Sequence, residues 1–213
     1  MIGRITDMAA RRQQTGTCRL YLIRHGTTTL NGNNRYRGRR DIPLDAQGYE
    51  DAFKAARLLC DVGLTAVYAG PLRRTITTGQ IIADAAGIPD LRILSWLTNL
   101  DYGRWEGMTA AEAATHDPEA YDLYCVSPLS AACPQGEGLR DARLRMLRAL
   151  RLIGSRHPGE TVAAVTHSVM LRLAVLEAGG SDDRSWRSVH EYEPMTQFRI
   201  GAATIRLADR AGE

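Results

Sequence analysis

Apolar positions along this chain follow two periods. The short unbroken runs "CRLYLIR" at 18–24 and "LTAVYA" at 64–69 read as strands buried on both faces, the habit of a parallel sheet. Between them "AQGYEDAFKAARLLCDVG" has helical spacing: Phe53, Ala56, Arg57, Leu59 and Cys60 carry the period, Asp45 is the predicted cap and Gly63 the stop. "LRRTITTGQIIADAAG" predicts a second helix that ends at Gly87, and "PDLRILSWL" a third strand. Further on, "LRDARLRMLRALRLIGSRHPG" is a long amphipathic helix with Leu144, Leu147, Leu150 and Ile153 among its apolar positions. "ETVAAVTH" reads as another buried strand, "SVMLRLAVLEAGG" as a helix with a glycine stop, and "AATIRLAD" as an edge strand. Strand and helix alternating at this spacing predict an α/β sheet with helices on its faces.

Three stretches stand outside that alternation. Asn, Gly and Pro punctuate "TTTLNGNNRYRGRRDIPLD", which reads as loop. Residues of about 100–140 mix a Gly/Trp turn, helical pieces and a Pro/Ser loop, and read as a small cap inserted into the domain. Residues 1–17 read as a frayed arm with no h-region of a secretory leader, leaving 18–213 as a single domain. No repeat or low-complexity segment interrupts it, and no run of 18 apolar residues predicts a membrane span.

Charge narrows the partners. A net charge of +3, from 27 basic and 24 acidic residues, is too mild for a nucleic-acid coat or a membrane-surface protein. Lys54 is the single lysine, so nearly every cation is a guanidinium able to fork onto an anion. Cys18, Cys60, Cys125 and Cys133 show no CxxC pair, which argues against a zinc site and fits free thiols in the cytoplasm. Cys60, inside a helical apolar pattern, reads as core.

Chemistry gathers at strand ends. "LYLIRHG" ends in Arg24 and His25, and "VAAVTHS" ends in His167. Ligands of open α/β sheets bind beyond the carboxyl ends of the strands, so the two histidines are expected to face one pocket. The strand "TAVYAG" leads into Arg73 and Arg74 at a helix start, whose N–H groups and dipole favour an anion. Taken singly, a strand-end histidine is more often a satisfied core residue, and an Arg–Arg pair a solvated face. Together they suit a dianionic phosphoryl group. His116, His157 and His190 show no such pairing and read as surface or structural.

"LIRHGTTTLN", "YAGPLRRTITTGQIIA", "DYGRWEG", "PQGEG" and "VAAVTHSVMLRL", from about Arg19 to about Asp209, resemble the histidine phosphatase superfamily, also called phosphoglycerate-mutase-like. The resemblance implies a three-layer α/β/α sandwich with a mostly parallel central sheet. It implies metal-independent, acid-type phosphomonoester hydrolysis through a phosphohistidine, without a cofactor, on a small phosphorylated metabolite. By position, His25 matches the nucleophile, Arg24 and Arg74 the phosphoryl-binding arginines, and His167 the second pocket histidine. Asn31 and Gly38 match loop positions that line the substrate site, and Arg37 beside Gly38 is placed to meet a second substrate anion. The spacing of "GRWEG" and "PQGEG" is closer to the small phosphatases than to the mutases, with phosphoglycerate-mutase-type transfer the alternative. The edge strand near the C-terminus is compatible with a homodimer.

The chain departs from the family at the acid. The glutamate that commonly protonates the leaving oxygen aligns with Asn99, which cannot give and retake a proton. Three readings stay open: Asp101 or Glu106 takes the role, the substrate carries a good leaving group, or the protein is a weakly active phospho-ligand binder. Gly138 stands where family members often have serine, and so lacks a hydroxyl that could cap the next helix or meet the pocket.

Overall fold

The computed structural model describes residues 16–29, 35–179, 186 and 194–208. Its centre is a six-stranded sheet of β1 (Cys18–Arg24), β2 (Leu64–Ala69), β3 (Leu91–Ile93), β4 (Thr161–Thr166), β5 (Met195–Ile200) and β6 (Ile205–Leu207). The order across the sheet is β3-β2-β4-β1-β5-β6. β3, β2, β4 and β1 run parallel, while β5 is antiparallel to β1 and β6 to β5. The helices are α1 (Ala46–Leu59), α2 (Arg73–Ala85), α3 (Ala110–His116), α4 (Pro118–Val126), α5 (Leu139–Arg156) and α6 (Ser168–Ala178).

A period of two along the strands divides the core into two layers. Ile23, Val67, Ala69, Ala163 and Val165 cluster with Ala56 and Leu59 of α1 and with Ile82 and Ala83 of α2. Leu20, Leu22, Ala66, Tyr68, Val162 and Ala164 cluster with α5, α6 and the aromatic residues of the 100–140 stretch. The result is the expected α/β/α sandwich. Each fully buried leucine, such as Leu20 or Leu22, contributes about 2 kcal/mol of apolar burial.

Several sequence-level details change. α1 starts as expected, with the Asp45 side chain accepting from Gly48 N. Its buried stripe is Gly48, Ala52, Ala56 and Leu59, all but the last of them small, so α1 lies close against the chain after β1. A Cβ on Gly48 would come within 2.0 Å of the Thr27 carbonyl oxygen, and one on Gly26 within 2.1 Å of that of Gly48. Phe53 and Cys60 each lie one residue past a stripe position, about 100° around the helix, and are exposed rather than core. Leu144 is exposed for the same reason, because α5 buries Ala142, Met146, Ala149, Leu150 and Ile153. The third strand stops at Ile93, where the chain turns into a 3₁₀ turn over Ser95–Leu97. β5 was not anticipated; "MTQFRI" has no clean alternation, and its pairing with β1 is non-local. Most of the 1–17 arm, together with Asn31 and His190, lies outside the described residues.

Candidate active site

Strand register brings the two expected histidines together. β1 and β4 are paired in parallel with Arg24 opposite Thr166, so the next residues on each strand are His25 and His167. His25 N donates to the Thr166 carbonyl at 3.0 Å, and the two imidazoles meet edge to face at 5.0 Å between ring centres. After β1 the chain passes to α1 on one face, and after β4 to α6 on the other. Such a divergence between neighbouring strands opens a crevice at their carboxyl ends. His25 and His167 line it.

The hydrogen bonds of His25 assign its tautomer. Nδ1–H donates to the Gly26 carbonyl at 2.6 Å. At the other nitrogen Nε2 accepts from Nε–H of Arg74 at 3.3 Å. A carbonyl only accepts and a guanidinium only donates, so Nε2 carries the lone pair. Burial, the nearby Arg74 and then Arg37 and Arg24 hold the imidazole neutral, well below its ordinary pKa of 6.5, although the bond to Gly26 opposes them. His167 is also pushed well below 6.5, by burial, then His25 and the arginines Arg74, Arg37 and Arg145. Among the described residues neither of its ring nitrogens has a hydrogen-bond partner.

The Arg–Arg pair divides. Arg73 is exposed and bound to Asp41 through its side chain and its backbone N–H. Arg74 is fully buried, its fork donating to the carbonyls of Arg40 at 2.6 Å and Gly38 at 2.9 Å. Burial, then Arg37, lowers its pKa to about 10 against the pull of Asp41 and Glu106, so it stays cationic at neutral pH. Because Asp41 takes the Arg73 N–H, the helix start that meets the cavity is that of α6, through Ser168 and Val169, and not that of α2. Arg24 and Arg37 line the cavity, and each has a buried Nε without a hydrogen-bond partner among the described residues.

At the acid end the side chains are committed elsewhere. Asn99 is buried and lines the cavity; its Nδ2–H donates to the Gly38 carbonyl at 3.0 Å and its Oδ1 accepts from Leu100 N at 2.9 Å. Gly38, at φ +52°, thus offers one carbonyl to both Asn99 and Arg74, and a Cβ there would strike the Glu106 carboxylate. Glu106 does not join the cavity. It accepts from Arg39 N at 2.7 Å and lies 3.8 Å from Arg40 Nε. Asp101 accepts from Gly103 N and from Arg39. Both carboxylates clasp the 38–40 loop and neither lines the cavity.

Sequence reasoning missed two features. Arg145 of α5 forks onto Glu137 and donates to the carbonyls of Trp96, Thr98 and Asn99, which pins the Asn99 backbone. Its only trace in the sequence is an arginine on the partly buried face of an amphipathic helix. The cavity, about 790 Å³, also has an aromatic wall of Tyr36, Tyr102, Tyr121, Tyr124 and Trp186, with Arg172 over the Trp186 ring at 3.7 Å. Tyr121 and Tyr124 share a helical i, i+3 spacing on α4, and the others are scattered along the chain. Among the described residues no group of three or more His, Cys, Asp or Glu could hold a metal ion, and no helix is long and apolar enough to cross a membrane.

Known proteins resemble this chain in sequence and in fold. The bifunctional protein Rv2228c of Mycobacterium tuberculosis is 33% identical over 199 residues, covering 91% of this chain and 54% of that protein. The chain thus spans about half the length of that relative. Phosphoserine phosphatase 1 of Hydrogenobacter thermophilus is 28% identical over 185 residues, or 82% of this chain and 87% of that one. Among solved structures, Bacillus stearothermophilus YhfR superposes with a TM-score of 0.80 at 31% identity, over 90% of this chain and 95% of that one. The sequence model of the histidine phosphatase superfamily (branch 1) matches residues 20–207, and this chain belongs to that superfamily.

Proposed function

We propose that the protein is a metal-independent phosphomonoester hydrolase that works through a phosphohistidine at His25 on a small phosphorylated metabolite. The observation that supports this best is the state of His25. It is a buried neutral imidazole whose Nδ1–H is tied to Gly26 and whose Nε2 lone pair lies beside Arg74. A neutral imidazole held in one tautomer is a ready nucleophile. Arg24 and Arg74 supply positive charge for the three equatorial oxygens of the transferring group, and the ring nitrogens of His167 supply further contacts. Asn99 and Gly38 then act as a wall and loop brace. In the same reading residues 18–213 form one domain, residues of about 100–140 cap the cavity, and the chain works in the cytoplasm, in keeping with four cysteines of which none is in a disulfide.

The test is phosphate release from p-nitrophenyl phosphate in the presence of EDTA. Wild-type protein is expected to turn over, and His25→Ala to lose turnover by on the order of 10⁴-fold or more. Equal rates for the two proteins would refute the reading. A second reading, a weakly active phospho-ligand binder, is favoured by one observation: the amide of Asn99 is doubly engaged where a proton donor is expected. Tight phosphate binding without turnover of p-nitrophenyl phosphate would select it.

A further inference from the structure

The cavity holds more positive charge than one phosphoryl group requires. With Arg24 and Arg74 beside His25, a third guanidinium, Arg37, lines the same space. Its Nε is buried with no hydrogen-bond partner among the described residues, and burial together with Arg24 weakens its hold on its proton. A desolvated cation in that state favours an anionic partner. Arg35 also lines the cavity but is paired with Glu112 and the Gly107 carbonyl. Among the described residues no aspartate or glutamate lines the cavity to balance this charge. Tyr36, Tyr121, Tyr124, Val169 and Trp186 add an apolar, largely aromatic lining, with the Arg172 guanidinium over the Trp186 ring.

The acid end selects among leaving groups. An alkoxide is about as basic as hydroxide and needs a proton as it departs, and a positioned acid supplies about 10²–10⁴-fold for that step. Asn99 spends both of its polar atoms on backbone, while Asp101 and Glu106 face Arg39 and Arg40. A phosphate monoester, whose second pKa is about 6, leaves as a stable dianion and needs no such proton.

Building on the phosphatase reading, we propose that the preferred substrate is a diphosphate monoester of an apolar or aromatic alcohol. Its terminal phosphoryl group sits at His25, its inner phosphate against Arg37, and its organic part along the tyrosine wall. The Nε2 lone pair of His25 forms a bond to the terminal phosphorus while the bond from that phosphorus to the bridging oxygen breaks. The electron pair of the broken bond leaves with the oxygen, and the monophosphate departs as a dianion. Water then attacks the phosphorus, the N–P pair returns to Nε2, and H₂PO₄⁻ leaves and yields a proton to solvent. Diphosphate and water become monophosphate and orthophosphate, with no change of oxidation state.

The experiment compares benzyl diphosphate, benzyl phosphate and p-nitrophenyl phosphate on the full chain in EDTA. kcat/KM for benzyl diphosphate is expected to exceed that for benzyl phosphate by about 100-fold or more, the size of an absent acid's contribution. Arg37→Gln is expected to lower kcat/KM for benzyl diphosphate by about tenfold more than for p-nitrophenyl phosphate, the weight of a charged hydrogen bond. Turnover of p-nitrophenyl phosphate with benzyl phosphate as good as benzyl diphosphate overturns the proposal and leaves the phosphatase reading standing. An equal loss on both substrates in Arg37→Gln overturns it as well. Silence on all three compounds removes the phosphatase reading and the proposal together.

Discussion

β4 has a buried histidine beyond each end, and the two are treated in opposite ways. His157, before the strand, is 5% exposed and satisfied at both nitrogens. Its Nδ1 meets Glu160 at 2.7 Å, and its Nε2 meets the Tyr68 hydroxyl at 3.0 Å and Arg92 at 3.1 Å. His167, after the strand, is 1% exposed and has no partner at either nitrogen among the described residues. Folding alone rewards the first arrangement and penalises the second, because a buried polar atom without a partner keeps its desolvation cost. Burial and residue type are the same, so the difference lies in the partners. An imidazole left unsatisfied beside His25 and the arginines is kept for something that is not part of the chain.

This contrast can be broken at either end. The largest expected effect is on catalysis: His167→Ala should lower kcat/KM on p-nitrophenyl phosphate by about 10²-fold or more, the weight of a lost transition-state contact. Its melting temperature should move less than that of His157→Ala, since no hydrogen bond is given up. His157→Ala should show the reverse. It takes one partner each from the Tyr68 hydroxyl, which keeps Arg92, and from the exposed Glu160 carboxylate, which keeps Thr65, so chemical denaturation should reveal a loss of about 1–2 kcal/mol, while the folded fraction keeps wild-type kcat/KM. Adding Tyr68→Phe should recover part of that loss, because removing both partners costs less than removing one.

The smallest effect is on acid stability. Folded His25 and His167 have pKa values below the ordinary 6.5, so the unfolded chain binds more protons than the folded one in the window beneath that value. Stability is therefore full above pH 6.5 and falls as pH drops through the window towards the folded values. The slope is at most about 1.4 kcal/mol per pH unit for each histidine. Melting curves between neutral and mildly acidic pH measure it. His167→Ala should flatten the slope; an unchanged slope would mean that His167 is not held neutral by the fold.

Much of the nucleophile end was legible in the sequence because it sits on regular structure. The runs at 18–24 and 64–69 begin and end where β1 and β2 do, and parallel pairing then sets His25 beside His167. Arg73 and Arg74 could not be told apart by composition; one helical step of about 100° separates an exposed ion pair from a buried clamp. The acid end was legible only as a gap. That Asn99 is tied to Gly38, and that Glu106 braces the loop at Arg39, depends on contacts across some 60 residues of chain. Arg145 and the tyrosine wall escaped for the same reason, since their partners are set by tertiary packing and not by local period. The missing hydroxyl at Gly138 had a plain outcome: Gly138 is the N-cap of α5 and makes no side-chain cap bond.

The central claim is that Nε2 of His25 takes the phosphoryl group. Acid-free quenching of the full chain during turnover of p-nitrophenyl phosphate, followed by peptide mass spectrometry, addresses it directly. The account predicts one added phosphoryl group on the peptide containing "LIRHG", at His25, absent from His25→Ala and accumulating in His167→Ala if His167 assists its hydrolysis. A phosphoryl group on another residue, or turnover with no adduct at His25 under conditions that trap one on a control histidine phosphatase, would contradict it.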